Sequence, residues 1–236
     1  MADHTIALII PALNEERALE KLLAELPPQT LDHIIVVDNG STDTTAQVAR
    51  DAGAQVVSEP IRGYGRACWS GFCAAKKLGA DLLVFMDGDG SDNPADLPAM
   101  LQPALEDQAD LVMGSRVSAL AERGAVPPQA RLGNWLVSHV ISLRYGVSLH
   151  DVGSFRVVRT SLLEALQMRE MTFGWPVEML AKTARAGYRI SELPLHYRRR
   201  QYGHSKVAGT LSGSIRAAYL MLRTTARYVG RRRRNV

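Results

Sequence analysis

The sequence predicts an α/β protein, a mostly parallel β-sheet flanked by helices, and three observations carry that expectation. Three short apolar runs, TIALII (5–10), HIIVVD (33–38) and DLLVFMD (81–87), stop at polar residues, the pattern of strands buried on both faces. Segments of helical length alternate with them, which is the mark of parallel strands joined by helical crossovers. The chain of 236 residues, 46% hydrophobic and 22% charged, is long enough to bury a core.

Residues 5–10 read as the first strand. Residues 15–26 then place Leu19, Leu22, Leu23 and Leu26 at helical spacing. The strand at 33–38 precedes a helix at 44–52, a weaker strand at 54–59 and a helix at 65–78. The strand at 81–87 and a further one at 110–115 bring the sheet to five or six strands. Four strand ends carry polar clusters, Asn14-Glu15, Asp38, Asp87 and Arg116, and ligands of such sheets bind at the carboxyl ends of the strands. One cleft is therefore expected there. The second half is less regular, with a helix at 131–145, a short strand at 154–159, a helix at 175–186 and a strand at 190–199 bent around Pro194. From 207 to 229, Leu211, Ile215, Ala218, Leu222 and Val229 share one helical face while Arg216, Arg223 and Arg227 share another. The result is an amphipathic basic helix that runs into four arginines at 231–234.

The net charge of +4 hides an asymmetry. Residues 193–236 hold eleven Lys and Arg and no Asp or Glu, which leaves 17 basic against 24 acidic residues, or −7, on the remainder. Such a segment suits an anionic partner. The start of the chain has Asp3 where a secretion signal needs basic residues, and Arg144 and Arg216 interrupt the two best apolar stretches before either reaches the ~18 residues of a spanning helix. Cys68 and Cys73 are five apart in a helical segment and point to different faces, which fits a reducing compartment. The six histidines show no metal-ligand spacing. A cytoplasmic protein, peripheral at the inner face of the membrane through 207–236, is the resulting expectation, with no nucleic-acid partner; the sequence does not set the oligomeric state.

FMDGDGSDNP is the strongest chemical signal. Asp87 and Asp89, two residues apart where a buried strand frays into a loop, converge on one hard cation, Mg²⁺ or Mn²⁺, while Gly88 and Gly90 leave room for a phosphate ligand. Asp92 or Asn93 with Pro94 reads as the cap of a following helix. In YRRRQYGHSK, a loop with the Arg200 fork and the Lys206 point charge, together with Ser205, suits closure over a diphosphate. GYGRA after Pro60 opens a helix whose backbone N–H groups suit an anion, with Arg66 beside it; as a dinucleotide fingerprint it fails for want of a third glycine.

Taken in order, PALNEE, VVDNGSTDTT (36–45), DGDG and GSR (114–116) resemble the family 2 glycosyltransferases of the Rossmann-like GT-A fold. HDVGSFRVVR, TFGWPVEM and YRRRQYGHSK narrow the resemblance to the polyprenyl- or dolichyl-phosphate mannose and glucose synthases. What the resemblance implies is an inverting, metal-dependent transfer of a hexose from a UDP- or GDP-sugar to a polyprenyl phosphate or other lipid-linked acceptor. By resemblance Pro11, Asn14, Glu15 and Asp38 line the nucleoside pocket, with Arg116 on the same cleft. Asp151 and Arg156 face the acceptor, although the family's usual Asp-x-x-Ser-Gly-Phe-Arg is one residue shorter here, and Ser91 stands where a glutamine is common. Glu178 is the general base if the acceptor is a hydroxyl, the alternative being an ordinary polar position on an amphipathic helix. In this reading residues 1–206 form the catalytic domain, 1–116 the donor half and 117–206 the acceptor half. A sugar nucleotidyltransferase and a nonenzymatic module for anionic membranes are the rival readings.

Overall fold

The computed structural model describes residues 4–203 and 211–229. Its elements, in chain order, are β1 (Ile6–Ala12), α1 (Glu16–Ala24), β2 (His33–Asp38), α2 (Thr45–Asp51), β3 (Gln55–Ser58), α3 (Tyr64–Lys77) and β4 (Leu82–Phe85). A 3₁₀ turn (Pro94–Asp96) leads into α4 (Leu97–Leu105), followed by β5 (Leu111–Ser115), α5 (Pro128–Tyr145), β6 (Arg156–Arg159) and α6 (Thr160–Leu166). The described chain closes with α7 (Trp175–Ala186), β7 (Ile190–Pro194) and α8 (Leu211–Val229). All the expected strands form. The sheet has seven in the order β3-β2-β1-β4-β6-β5-β7, more than the five or six counted in sequence.

Both faces of the sheet are buried, as the unbroken apolar runs require. Ala7 and Ile9 of β1 point into one core with α3, α5 and α7, while Leu8 and Ile10 point into the other with α1 and α4. Every pairing is parallel except those of β6, which runs antiparallel between β4 and β5. That reversal positions the site: Arg156, the first residue of β6, lies opposite Phe85 and Met113, so the 151–155 segment arrives at the edge where β4 and β5 end.

The expected bent strand at 190–199 divides at Pro194. β7 pairs with β5 before it, and Tyr197 forms a separate antiparallel bridge to Asp92 after it. α6 was not foreseen, because TSLLEALQ is short and follows β6 without a loop. Cys68 and Cys73 are both free thiols. Among the described residues no helix is long and apolar enough to cross a membrane. On α8, Ile215, Ala218 and Leu222 are exposed, while Ala217, Thr224, Thr225 and Tyr228 are the buried ones. The threonine hydroxyls donate to the carbonyls of Leu220 and Met221, which makes a polar face buriable.

Gly153 packs directly on the β5 backbone, where a Cβ would run into the carbonyl oxygen of Gly114. Gly153→Ala is expected to cost about 1–3 kcal/mol by overpacking. Gly133→Ala, at a helical position with open space around it, is expected to stabilise by about 0.5–1 kcal/mol. Chemical denaturation of the two variants checks the contrast.

Candidate active site

β1 and β4 are adjacent, with Ile9 opposite Phe85, so the residues that follow each strand meet at one edge. Beyond β4, Asp87 Oδ1 accepts from the Tyr64 hydroxyl at 3.0 Å, and the Asp87 backbone N–H donates to Asp92 Oδ2 at 3.2 Å. Asp89 Oδ1 accepts from the Ser91 N–H at 3.0 Å. The helix cap is Asn93, whose Oδ1 accepts from the Ala95 N–H at 3.2 Å. Asp92 does something else. It is 1% exposed, and its Oδ1 is buried with no hydrogen-bond partner. Burial and the Asp89 carboxylate push Asp87 up to about 6, while burial and the charges of Asp87 and Asp89 push Asp92 well above the carboxylate range.

Arg200 meets this acidic edge from the other side. Arg198 donates its N–H to the Ser91 carbonyl at 2.8 Å, and its guanidinium reaches Asn93 and Glu25, so the 197–200 segment is laid along the aspartate loop. Two residues on, Arg200 Nη1 donates to Asp89 Oδ2 at 3.0 Å and Nη2 donates to the Glu15 carboxylate. Glu15, Asp89 and Arg200 are thus brought together. Ser205 and Lys206 lie outside the described residues.

The nucleoside-side residues form a clasp between the ends of β1 and β2. Asn14 adopts φ 51°, donates its N–H to Ser41 Oγ at 2.9 Å and accepts the Thr42 N–H at 2.7 Å. Asp38 Oδ1 accepts the Ser41 N–H at 2.9 Å, and Pro11 pairs beside it with Val37. Asp43 Oδ1 accepts from the N–H and the hydroxyl of Thr45, a local turn just before α2. Sequence reasoning missed Asn39, buried, whose side chain joins the Glu59 and Ile61 carbonyls to the Gly63 N–H and so shapes the loop before α3.

On the opposite flank, Arg116 makes a bidentate pair with Asp151, at 2.8 and 2.9 Å, and its guanidinium lies 5.6 Å from the centre of the Tyr197 ring. Burial opposes the Asp151 charge, yet Arg116 and its hydrogen bonds hold the carboxyl below the usual range. Asp151 is therefore a fully buried support for Arg116 and does not itself face an acceptor. Arg156 is likewise sealed, 2% exposed, with N–H groups spent on the Gly153 and Pro176 carbonyls; burial lowers its pKa to about 10. Both acceptor-facing expectations are corrected by burial.

Two further expectations change. The N-terminus of α3 is closed by protein: Arg66 N–H donates to the Met171 carbonyl at 3.2 Å, and a Cβ on Gly65 would strike the backbone of Glu170. It does not stand open to an anion, and the Arg66 side chain is half-buried. Glu178 is fully buried, 2.6 Å from Lys182, and its carboxylate accepts the N–H groups of Arg169 and Glu170 and the Tyr228 hydroxyl. With its lone pairs so occupied it anchors the 169–174 loop and α8, and a general-base role does not fit.

The donor set fits a divalent cation. Asp87 and Asp89 are hard oxygen ligands on one loop, burial and the Asp89 charge raise Asp87, and Asp92 has an oxygen without a hydrogen-bond partner among the described residues. Among the described residues no group of three or more His, Cys, Asp and Glu is arranged to ligate a metal, so two aspartates are the protein's offer.

Residues 7–167 match the profile described as glycosyl transferase family 2. An uncharacterized glycosyltransferase of Mycobacterium tuberculosis is 39% identical over 215 residues, 91% of this chain and 95% of the relative. The undecaprenyl-phosphate mannosyltransferase of Micrococcus luteus is 31% identical over 240 residues, 97% and 98% of the two chains. Among solved structures, glucosyl-3-phosphoglycerate synthase from Mycobacterium tuberculosis, in complex with Mn²⁺, uridine diphosphate and glucosyl-3-phosphoglycerate, superposes with a TM-score of 0.76 at 26% identity, over 97% of this chain and 81% of that one.

Removing one partner of the buried Glu178–Lys182 pair strands the other charge. Glu178→Gln is expected to cost about 3–5 kcal/mol of stability while leaving turnover per folded molecule intact. Denaturant titration read beside single-turnover rates decides it; a lost rate at unchanged stability restores the general base.

Proposed function

The chain belongs to glycosyl transferase family 2, and on that premise we propose that it moves a hexose from a nucleoside diphosphate sugar, UDP- or GDP-linked, to a polyprenyl phosphate or other lipid-linked acceptor, with inversion at the anomeric carbon. Its GT-A architecture supplies the strand-end cleft. The observation that carries the donor half is the meeting of Asp87, Asp89, Glu15 and Arg200 at one edge. The acceptor class follows that of the Micrococcus luteus relative, an undecaprenyl-phosphate mannosyltransferase.

The bond from the anomeric carbon to the β-phosphate oxygen breaks, a bond from that carbon to the acceptor oxygen forms, and the diphosphate leaves with the electron pair. A divalent metal, Mg²⁺ or Mn²⁺, held by Asp87 and Asp89, supplies charge stabilisation for that leaving group when bound. The chain's own residues do the rest. Asn14 and Asp38 shape the nucleoside pocket, and Arg200 turns from Glu15 and Asp89 to the diphosphate, with Ser205 and Lys206 following it in the same motif. Arg116, fixed by Asp151 and Tyr197, keeps a guanidinium beside the aspartates. A phosphate acceptor is already ionised at neutral pH, so this scheme requires no general base, in keeping with the occupied Glu178. Residues 1–206 act as the catalytic unit, and 207–236 holds it at an anionic cytoplasmic membrane surface.

Thermal shift against nucleotide sugars in Mn²⁺ identifies the donor, since a ligand selective for the folded state raises its melting temperature. Asp89→Asn and Arg200→Ala are each expected to lower kcat by about 10²–10³. Pyrophosphate released from a nucleoside triphosphate, with no hexose transferred, overturns the proposal in favour of a nucleotidyltransferase.

A further inference from the structure

α5 and α8 lie side by side on the same face of the sheet, joined by the Tyr145 hydroxyl on the Tyr228 carbonyl at 2.9 Å. α5 buries Asn134, Val137, Ser138, Ile141 and Tyr145. Its outer face should then be polar, as on an ordinary amphipathic surface helix. The reverse is found: Leu132 is 65% exposed and Leu143 74%, with Trp135 and Leu136 between them. At 100° per residue these four fall within one stripe about 100° wide, opposite the buried face. His139 stacks on Trp135 at 5.2 Å within it. α8 repeats the arrangement, with Ile215 and Tyr219 each 62% exposed, Leu222 beside them, and Ala217, Thr224, Thr225 and Tyr228 turned inward.

Charge decides what covers these stripes. Neither helix contains an Asp or Glu, and the apolar stripes are flanked by Arg131 and Arg144 on α5 and by exposed Arg216, Arg223 and Arg227 on α8. A second copy docked face to face would set arginines near arginines with no carboxylate on either helix to pair them. The end of this chain, GRRRRNV, is too polar to cover leucine and tryptophan. An anionic bilayer surface answers both features, taking the apolar side chains at its headgroup boundary and the guanidinium groups among its phosphates.

We propose that the exposed apolar stripe of α5, together with that of α8, is a two-helix platform by which the protein lies on an anionic lipid surface. α5 extends the membrane contact proposed above for 207–236 to a second helix in the catalytic body. Two helices fix the orientation of the body on the surface, which one terminal helix at the end of a linker does not.

The full chain is tested by flotation with vesicles of phosphatidylcholine alone and of phosphatidylcholine mixed with phosphatidylglycerol. Wild type is expected on the anionic vesicles and not on the neutral ones. Leu132→Ser/Leu136→Ser/Leu143→Ser alters only exposed or solvent-facing positions and is expected to reduce the bound fraction about tenfold. Brominated lipids are expected to quench Trp135, and Trp135→Phe to abolish that component, since Trp175 is buried in the core and Trp69 is half-buried on α3, outside both stripes. Unchanged flotation of the triple variant, or equal binding to neutral vesicles, overturns the platform. So does a concentration-dependent dimer that the same substitutions dissolve in the absence of lipid binding. Donor thermal shifts of the variant, measured in parallel, are expected to match wild type; their absence in both proteins would count against the glycosyl-transfer reading and leave the platform to the flotation result.

Discussion

Glu15, Asp87, Asp89 and Asp92 converge where β1 and β4 end, and the cost of ionising several carboxyl groups in one place is the constraint the surrounding structure answers. Two like charges about 4 Å apart in an effective dielectric near 20 repel by roughly 4 kcal/mol, several times thermal energy. Such a cluster persists only with compensation. The Asp87 backbone and the Tyr64 hydroxyl donate into it, and Arg200 closes its open side. Compensation remains incomplete, as the unpartnered Asp92 oxygen shows. A site in this condition favours a multivalent cation, and a cation there favours a diphosphate.

The antiparallel strand is the second half of that arrangement. Were β6 parallel to its neighbours, its carboxyl end would reach the cleft and Asp151 to Phe155 would sit at the far edge of the sheet. Reversed, β6 delivers its preceding loop instead, and Asp151 fixes Arg116 from below. Glu192 of β7 holds that loop through the N–H groups of His150 and Asp151. The close approach of Gly153 to the Gly114 carbonyl follows from the same geometry, since the loop must cross over the end of β5. Arginine and aspartate far apart in sequence thus become a preorganised pair.

The strand ends were legible in sequence because an apolar run that stops at Asp87-Gly88-Asp89 states both the fold and the chemistry. Arg200 was legible as a charged fork in an acid-free segment. Asp92 was not, because a carboxylate before Asn93-Pro94 has the pattern of a cap, and only the observed Asn93 to Ala95 bond frees it for another role. Glu178 misled for a related reason. Its place in GWPVEM fixes where it stands along α7 and leaves open which way the carboxylate points, and that direction is set by Lys182, one turn on, and by Tyr228, fifty residues away. The buried face of α8 was not legible, because hydrophobic periodicity identifies two faces without saying which is inside. Thr224 and Thr225 reverse the usual answer by satisfying their hydroxyls within the helix.

The C-terminal helix and the carboxylate edge are joined through one loop. Glu170, buried, accepts from Thr172 and pairs with Arg223 of α8, which seats the 169–174 loop under that helix. The same loop presses on α3: Met171 closes its first turn, Phe173 stacks on Tyr64 with ring centres 6.4 Å apart, and Tyr64 donates to Asp87. Gly63 and Gly65 are required there because side chains would strike the Glu170 and Met171 backbone. Seating α8 and positioning Asp87 therefore depend on one packed segment, in which a displacement of 169–174 is felt at both ends. A helix that presents leucine, tyrosine and arginine outward is in this way fastened, through Arg223 and the loop that Glu170 seats, to the residues that place Asp87.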